Sequence, residues 1–190
     1  MTRVVIAEDE AIIRLDLKET LQEEGYDVVG ETGRGDRAVE LVRELRPDVA
    51  IFDVKMPGLD GISAAAAVTA ERLCAVLILT AFSQRDVIEQ ARDAGALAYL
   101  VKPFQRSELV PAVELAIGRF RELAALAQDV RTLEEQLETR KTVDRAKGIL
   151  MDRHGLPEAQ AFSFIQKTAM SDRMTMRSVA NRIIKGELTP

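Results

Sequence analysis

The chain has 190 residues, of which 47% are hydrophobic and 30% are charged, a composition typical of a folded globular protein and not of a disordered one. Its longest apolar runs are about seven residues, whereas a membrane-spanning helix needs roughly 20, and its N-terminus lacks the pattern of a secretory signal. A single cysteine, Cys74, excludes an internal disulfide and a multi-cysteine metal site. Since Cys74 lies in an apolar run, we expect a buried thiol in a soluble, cytoplasmic protein.

The net charge of −5 is unevenly distributed along the chain. Residues 139–190 carry a net charge of +5, and residues 1–138 carry a net charge of −10. An acidic body followed by a basic tail predicts two parts with different roles, and nucleic acid is a natural partner for the basic part. The alternative is a basic helical bundle whose charges are simply solvated.

Residues 1–118 alternate short apolar runs with helical patterns. The apolar runs predict strands at residues 3–7, 27–30, 49–52, 76–80 and 98–101. Helical patterns lie between them. One ends at Glu24-Gly25, a second covers residues 38–45 and ends before Pro47, and a third covers residues 87–94 and ends at Gly95. Five β/α repeats with almost continuously apolar strands predict an α/β fold, in which helices cover both faces of a five-stranded parallel sheet.

The stretch after residue 118 is predicted to be helical, with apolar residues at alternating spacings of three and four. These residues are Leu123, Leu126, Val130, Leu133 and Leu137. The spacing is that of a coiled-coil seam, sustained over about two heptads. The seam predicts either a homodimer through residues 123–137 or a face that packs against this chain's own domains.

Residues 140–186 contain three further helical patterns, with breaks at residues 154–157 and 171–174. Their apolar positions predict a small three-helix core, to which we assign Phe162 together with Ala161 and Ile165. We therefore divide the chain into a first domain at residues 1–118, a coiled-coil-like linker helix at 119–138 and an all-α output domain at 139–190.

Polar side chains stand at the predicted carboxyl ends of the strands. Glu8 and Asp9 follow the first strand and Asp53 follows the third, while Thr80 ends the fourth and Lys102 follows the fifth. In a parallel sheet these ends converge on one edge. Oxygen-only ligands suit Mg²⁺, and a lysine and a hydroxyl can hold phosphoryl oxygens. The set predicts attack by a carboxylate oxygen on phosphorus, which gives an acyl phosphate.

Short motifs surround these residues: Met56-Pro57-Gly58, Asp60-Gly61, Thr80-Ala81 and Lys102-Pro103-Phe104. Together with Glu8-Asp9 and Asp53, they resemble the receiver domain of bacterial two-component response regulators over residues 1–118. The resemblance implies a flavodoxin-like fold and phosphorylation of Asp53 by a histidine kinase. It implies three Mg²⁺ ligands, which are Asp9, Asp53 and the backbone carbonyl of Lys55, with Glu8 acting nearby or through water. It also implies two groups that hold phosphoryl oxygens, Lys102 and Thr80, and an aromatic switch, Tyr99.

Two features depart from the commoner receiver pattern. Glu8 stands where Asp is commoner, which could alter metal affinity. Lys55, two positions after Asp53, and Phe82, two positions after Thr80, could change the rate at which the acyl phosphate hydrolyses. Phosphoaspartate phosphatases need a second Asp at the position of Lys55, so we expect no enzyme activity beyond slow self-dephosphorylation.

The basic tail carries a second set of motifs: Ala146-Lys147-Gly148-Ile149-Leu150-Met151, Glu158-Ala159-Gln160-Ala161-Phe162 and Val179-Ala180-Asn181-Arg182-Ile183-Ile184. They resemble the ANTAR domain, a family that binds RNA in regulators of transcription antitermination. Cations on the helices are candidates for contacts to RNA hairpins: Lys147, Arg177, Arg140, Lys141, Arg145 and Arg173. Gly148 within a helix costs roughly 1 kcal/mol relative to Ala, which suggests the close approach of a neighbouring helix or of a ligand backbone.

Both resemblances combine into one hypothesis of mechanism. Phosphorylation of Asp53 repositions Thr80 and Tyr99, and dimerisation through residues 123–137 then places two basic modules together on paired RNA hairpins. Binding there favours an antiterminator over a terminator. The alternatives are a phosphorylation-dependent DNA-binding transcription factor, with a helix-turn-helix at Gly155, or a protein-interaction module.

Overall fold

The computed structural model describes residues 1–81 and 85–190, and it divides into two compact units, Met1–Ala124 and Ala125–Pro190. The strands are β1 (Arg3–Ala7), β2 (Asp27–Thr32), β3 (Val49–Asp53), β4 (Ala75–Thr80) and β5 (Ala98–Val101). The helices are α1 (Ala11–Glu23), α2 (Gly35–Leu45), α3 (Gly61–Ala70), α4 (Arg85–Asp93), α5 (Arg106–His154), α6 (Glu158–Ser171) and α7 (Met176–Ile184).

The sheet is parallel throughout, with the strand order β2-β1-β3-β4-β5. This is the flavodoxin-like order, so the predicted fold is confirmed. The central strands β3 and β4 are buried along their whole length, because helices cover both sides of the sheet. Such burial explains why their sequences are almost continuously apolar.

Two apolar cores lie on opposite faces of the sheet. On one face, α1 contributes Leu17 and Leu21, and the start of α5 contributes Leu109 and Val113. On the other face, α2, α3 and α4 pack against the alternate side chains of the same strands. Cys74 belongs to this second core, where burial raises the pKa of its thiol to about 12. The expected buried thiol is therefore confirmed.

The strand predictions are accurate to within two residues. β2 extends to Thr32 because the ladder with β1 continues to the pair Ala7–Thr32, and β3 includes Asp53, which pairs with Leu79 of β4. The predicted start of α2 at residue 38 is late by three residues. The helix begins at Gly35 after Arg34, whose side chain makes no capping hydrogen bond, so the sequence lacks the usual signal for a helix start.

The predicted linker helix and the first output helix form a single helix, α5. Residues 119–154 contain no proline, and their single glycine, Gly148, lies inside the helix, so the sequence provides no physical reason for a break there. In the described part of the chain, no helix is both long enough and apolar enough to cross a membrane.

The second unit is a three-helix bundle, as predicted. Its core combines side chains from all three helices: Val143, Ala146 and Leu150 of α5, Ala161, Ile165 and Ala169 of α6, and Val179, Ala180 and Ile183 of α7. Both predicted breaks are present, before α6 and before α7. The assignment of Phe162 to the core is wrong, because its side chain is 42% exposed. Its neighbour Ala161 occupies the inward position instead.

Candidate functional site

Three carboxylates meet at the carboxyl edge of the sheet. Glu8 and Asp9 directly follow β1, and Asp53 is the last residue of the neighbouring strand, β3. One carboxylate oxygen from each residue lies within 4.8 Å of the other two. Glu8 and Asp53 are buried, whereas Asp9 is exposed at the mouth of the cluster. The parallel topology therefore concentrates negative charge at one point of the surface.

The ammonium group of Lys102 lies between two of these carboxylates. Its Nζ is 2.6 Å from Oε2 of Glu8 and 2.8 Å from Oδ1 of Asp53. Thr80, at the end of β4, is almost fully buried at the same edge of the sheet. The structure thus brings a cation and a hydroxyl to the edge that carries the acidic cluster.

Burial and ion pairing act in opposite directions on the ionisation of this cluster. Burial raises the pKa of Glu8, although the hydrogen bond from Lys102 opposes this shift. Burial also lowers the pKa of Lys102, but its hydrogen bonds to Asp53 and Glu8 outweigh that effect, so its pKa is raised overall. Lys102 therefore remains a cation near neutral pH and can attract an incoming anion.

Backbone groups hold the acidic side chains in place. Oδ2 of Asp53 accepts a hydrogen bond from the backbone N–H of Lys55 at 3.0 Å, and Oε1 of Glu8 accepts one from the N–H of Glu10 at 3.2 Å. Arg14 donates from its guanidinium to the backbone carbonyl of Glu8 at 2.5 Å. Sequence reasoning missed Arg14, because its acceptor is a backbone carbonyl and no residue pattern marks such an acceptor.

The donor set of the cluster fits a hard divalent cation. Its ligands are all carboxylate oxygens, with neither a cysteine nor a histidine among them, and Mg²⁺ prefers oxygen ligands and usually retains several waters. Next to the cluster lies an open cleft of about 840 Å³, lined by Asp9, Lys55 and Asp60 among others. The cleft therefore opens beside Asp9, the exposed member of the acidic cluster.

The remaining predicted residues of the first unit lie close to this edge or outside the described residues. Tyr99 is on β5, the outermost strand next to β4, and is 47% exposed, so it is not a core residue. Lys55 is exposed in the loop after β3. Phe82 lies outside the residues that the structure describes.

Two of the predicted RNA contacts already have carboxylate partners. Nζ of Lys147 lies 2.9 Å from Asp144 and 2.8 Å from Glu158, and its side chain is only 16% exposed. Lys141 pairs with Glu138 at 2.9 Å. An RNA phosphate would have to compete with these carboxylates, and the ion pair of Lys147 with Glu158 joins α5 to α6.

The other predicted RNA contacts are more available. Arg140 is 83% exposed in its side chain and reaches Asp144 only at 4.0 Å. Arg145, Arg173 and Arg177 are exposed, and within the described ranges they form no ion pair shorter than 4.0 Å. Arg173 has a φ of 53° in the turn between α6 and α7, a left-handed conformation that normally favours glycine.

The structure also answers the question raised by Gly148. A Cβ atom built at this position would meet nothing within 4 Å among the described residues. Close packing of a neighbouring helix of this chain is therefore not the reason for the glycine. The approach of a ligand backbone remains the interpretation that the sequence left open.

Replacement of Gly148 by Ala is expected to stabilise the second unit by about 1 kcal/mol, because Ala is the better helix former and has room for its methyl group. Circular dichroism recorded during thermal unfolding measures this change in stability. Gly155→Ala is the matched control. Its Cβ would also meet open space, but its φ of +65° strains any residue with a side chain, so this variant should lose stability. A loss of stability in Gly148→Ala would contradict the argument.

Comparison with known families assigns both units. The response regulator receiver domain matches residues 4–114, and the ANTAR domain matches residues 131–184. The transcriptional regulatory protein PdtaR of Mycobacterium tuberculosis is 57% identical over 188 residues, which cover 99% of this chain and 92% of that protein. The chemotaxis protein CheY of Thermotoga maritima is 37% identical over 112 residues, covering 58% of this chain and 93% of that protein.

Solved structures resemble the first unit. The NarL signal receiver domain from Mycobacterium tuberculosis superposes with a TM-score of 0.60 at 37% identity, covering 62% of this chain and 96% of that one. The receiver domain of a sensor histidine kinase from Pseudomonas aeruginosa, which holds a magnesium ion in its active-site cleft, has a TM-score of 0.56 at 30% identity and covers 62% of this chain and 98% of that one. The chain belongs to the response regulators of two-component systems, in the group that joins a receiver domain to an ANTAR domain.

Proposed function

We propose that a histidine kinase phosphorylates this response regulator on Asp53, and that its ANTAR domain then binds RNA hairpins to control transcription termination and antitermination. The observation that carries the first half is the position of Asp53, whose carboxylate lies within 4.8 Å of two others and 2.8 Å from Lys102. The second half is supported by the ANTAR match at residues 131–184 and by exposed arginines on that unit. With a kinase and RNA as partners, we expect the protein to work in the cytoplasm.

We propose that Asp9, Asp53 and the backbone carbonyl of Lys55 bind Mg²⁺, with Glu8 acting nearby through water. When bound, Mg²⁺ reduces the repulsion between a carboxylate and an incoming phosphoryl group. Glu8 has a second role, because its short contact with Lys102 keeps the ammonium group directed towards Asp53.

In the proposed transfer, a carboxylate oxygen of Asp53 forms a bond to phosphorus while the bond between phosphorus and the kinase histidine breaks. Lys102 and Thr80 hold the phosphoryl oxygens, and Tyr99 moves with the hydroxyl of Thr80. Lys55 stands where a phosphatase would need a second Asp. We therefore propose a signalling role with slow self-dephosphorylation and no other enzyme activity.

A titration of fluorescent tandem-hairpin RNA, with and without beryllofluoride as a phosphoryl mimic at Asp53, tests the RNA-binding function. We expect tighter binding with the mimic, and weaker binding in Arg173→Gly, because this variant removes one cation without straining the turn. The slope of binding against salt concentration should fall by about one.

Arg46→Gly is the matched control for this experiment. Arg46 also lies just after a helix with a φ of 48°, and it carries the same charge, but it belongs to the receiver unit. The Arg46→Gly variant should therefore leave RNA binding unchanged. Tighter binding to duplex DNA than to the hairpins would favour a DNA-binding factor instead, and no binding to either would favour a protein target.

We also propose that phosphorylation promotes a homodimer through residues 123–137. The five apolar residues of this seam are each 53–63% exposed, and a second copy of the helix would bury them. In sedimentation velocity, beryllofluoride should produce a dimer that Leu133→Glu abolishes. Gln128→Glu, which places the same charge off the seam, should preserve it. Equal dimerisation with and without the mimic would contradict the coupling to phosphorylation.

A further inference from the structure

A groove lies where α5 extends beyond the three-helix bundle of the second unit. It is lined by one face of α5, including Gln136, Thr139 and Val143, and by Phe162 of α6 and Met176 of α7. Its volume of about 660 Å³ is within the range of ~300–1,000 Å³ that is typical of small-ligand sites. Phe162 is 42% exposed there, although an aromatic side chain in so small a domain would gain stability from burial.

We propose that this groove binds one unpaired base of the RNA, with the ring of Phe162 as the surface on which the base stacks. The proposal rests on the RNA binding proposed above and names the residue that reads the loop. Stacking on an aromatic ring is the usual way in which proteins hold a base that is not paired.

The charges of the groove favour a neutral base over a phosphate. Two acidic residues, Glu135 and Asp144, line it together with two basic ones, Arg140 and Lys147, so its lining has no net charge. Polar groups of Gln136 and the other side chains can pair with the edge of a base, whereas a phosphate would face two carboxylates.

Cations at the rim complete the match to RNA. Arg140 lines the groove and is 83% exposed in its side chain, and the exposed Arg177 directly follows the lining residue Met176. Both guanidinium groups are candidates to contact the phosphates that flank a bound base. This alternation of a neutral, partly apolar site with exposed cations matches a nucleotide better than it matches an apolar peptide.

The groove is also separate from the proposed dimer seam. On α5, Thr132, Gln136, Thr139 and Val143 share one face, and the seam residues occupy another, about 120° away at roughly 100° per residue. A second copy bound through residues 123–137 would therefore leave this face of the groove open. Dimerisation and base binding can occur in the same complex.

The test uses the full chain with beryllofluoride and hairpin RNAs that carry 2-aminopurine at successive loop positions. We expect binding to change the fluorescence at one loop position. Phe162→Leu keeps an apolar side chain but removes the ring, and it should weaken binding about tenfold and abolish that change. Phe162→Trp should retain both the RNA binding and the fluorescence change. Phe164→Leu is the matched control, because Phe164 is on the same helix but packs against the core.

The outcomes separate this proposal from the one on which it rests. Failure of the unchanged protein to bind any hairpin would overturn both. Full RNA binding by Phe162→Leu would overturn the base site and leave RNA binding intact. If that variant bound RNA normally but lost the dimer, the groove would be a protein interface and the base site would again be wrong.

Discussion

Replacement of Asp53 by Asn is expected to abolish phosphorylation of the protein. An amide is a far weaker nucleophile than a carboxylate, and the change removes one of the three acidic groups proposed to balance the charge of Mg²⁺. The fold should persist, because Lys102 keeps its ion pair with Glu8 at 2.6 Å. Incubation with acetyl phosphate and Mg²⁺, followed by intact mass spectrometry, measures the addition of a phosphoryl group.

Asp60→Asn is the matched control for this prediction. Asp60 lines the same cleft as Asp9 but lies outside the acidic cluster. It caps α3 by accepting a hydrogen bond from the N–H of Ser63 at 2.9 Å, a role that Asn fills equally well. Phosphorylation should therefore be retained in this variant. Phosphorylation of Asp53→Asn at the normal level would show that the acceptor lies elsewhere.

The chemistry of the first unit was readable from the sequence because topology determines it. Once five apolar strands alternate with helices, a parallel sheet follows, and the residues at its strand ends must meet at one edge. Asp53 and Lys102 lie 49 positions apart, yet their position at the same edge of the sheet could be expected from this rule, and the structure places them 2.8 Å apart. Arg14 was not predictable, since its partner is a backbone carbonyl and no residue type marks such an acceptor.

The second unit was less predictable because one-residue differences in helix phase decide burial. Ala161 and Phe162 both fit the apolar periodicity, but Ala161 is fully buried and Phe162 is 42% exposed. Lys147 reads as a free cation in the sequence, but Glu158 begins the next helix and reaches it across the turn. Pairing between consecutive helices depends on their angle, which the residue pattern does not specify.

Replacement of Gly61 by Ala is expected to destabilise the receiver unit by about 3 kcal/mol, the cost of a severe steric overlap in a packed region. A Cβ atom at Gly61 would lie 1.9 Å from the backbone carbonyl oxygen of Asp53. That overlap cannot be relieved by rotating a side chain, so α3 must move away from the end of β3. Both tyrosines, Tyr26 and Tyr99, lie in this unit, so urea unfolding followed by tyrosine fluorescence reports its stability separately.

Gly118→Ala, in the same unit, shows whether the effect comes from the close approach at Gly61 or from the loss of any glycine. A Cβ atom there would meet nothing within 4 Å in the described structure, and the position is inside α5, so the receiver unit should gain up to about 1 kcal/mol. Opposite signs for the two variants would establish that the end of β3 at Asp53 is held by direct backbone contact with the start of α3. A gain of stability in both variants would mean that Asp53 and Gly61 are farther apart than described, and the position of Asp53 at the edge of the sheet would then need revision.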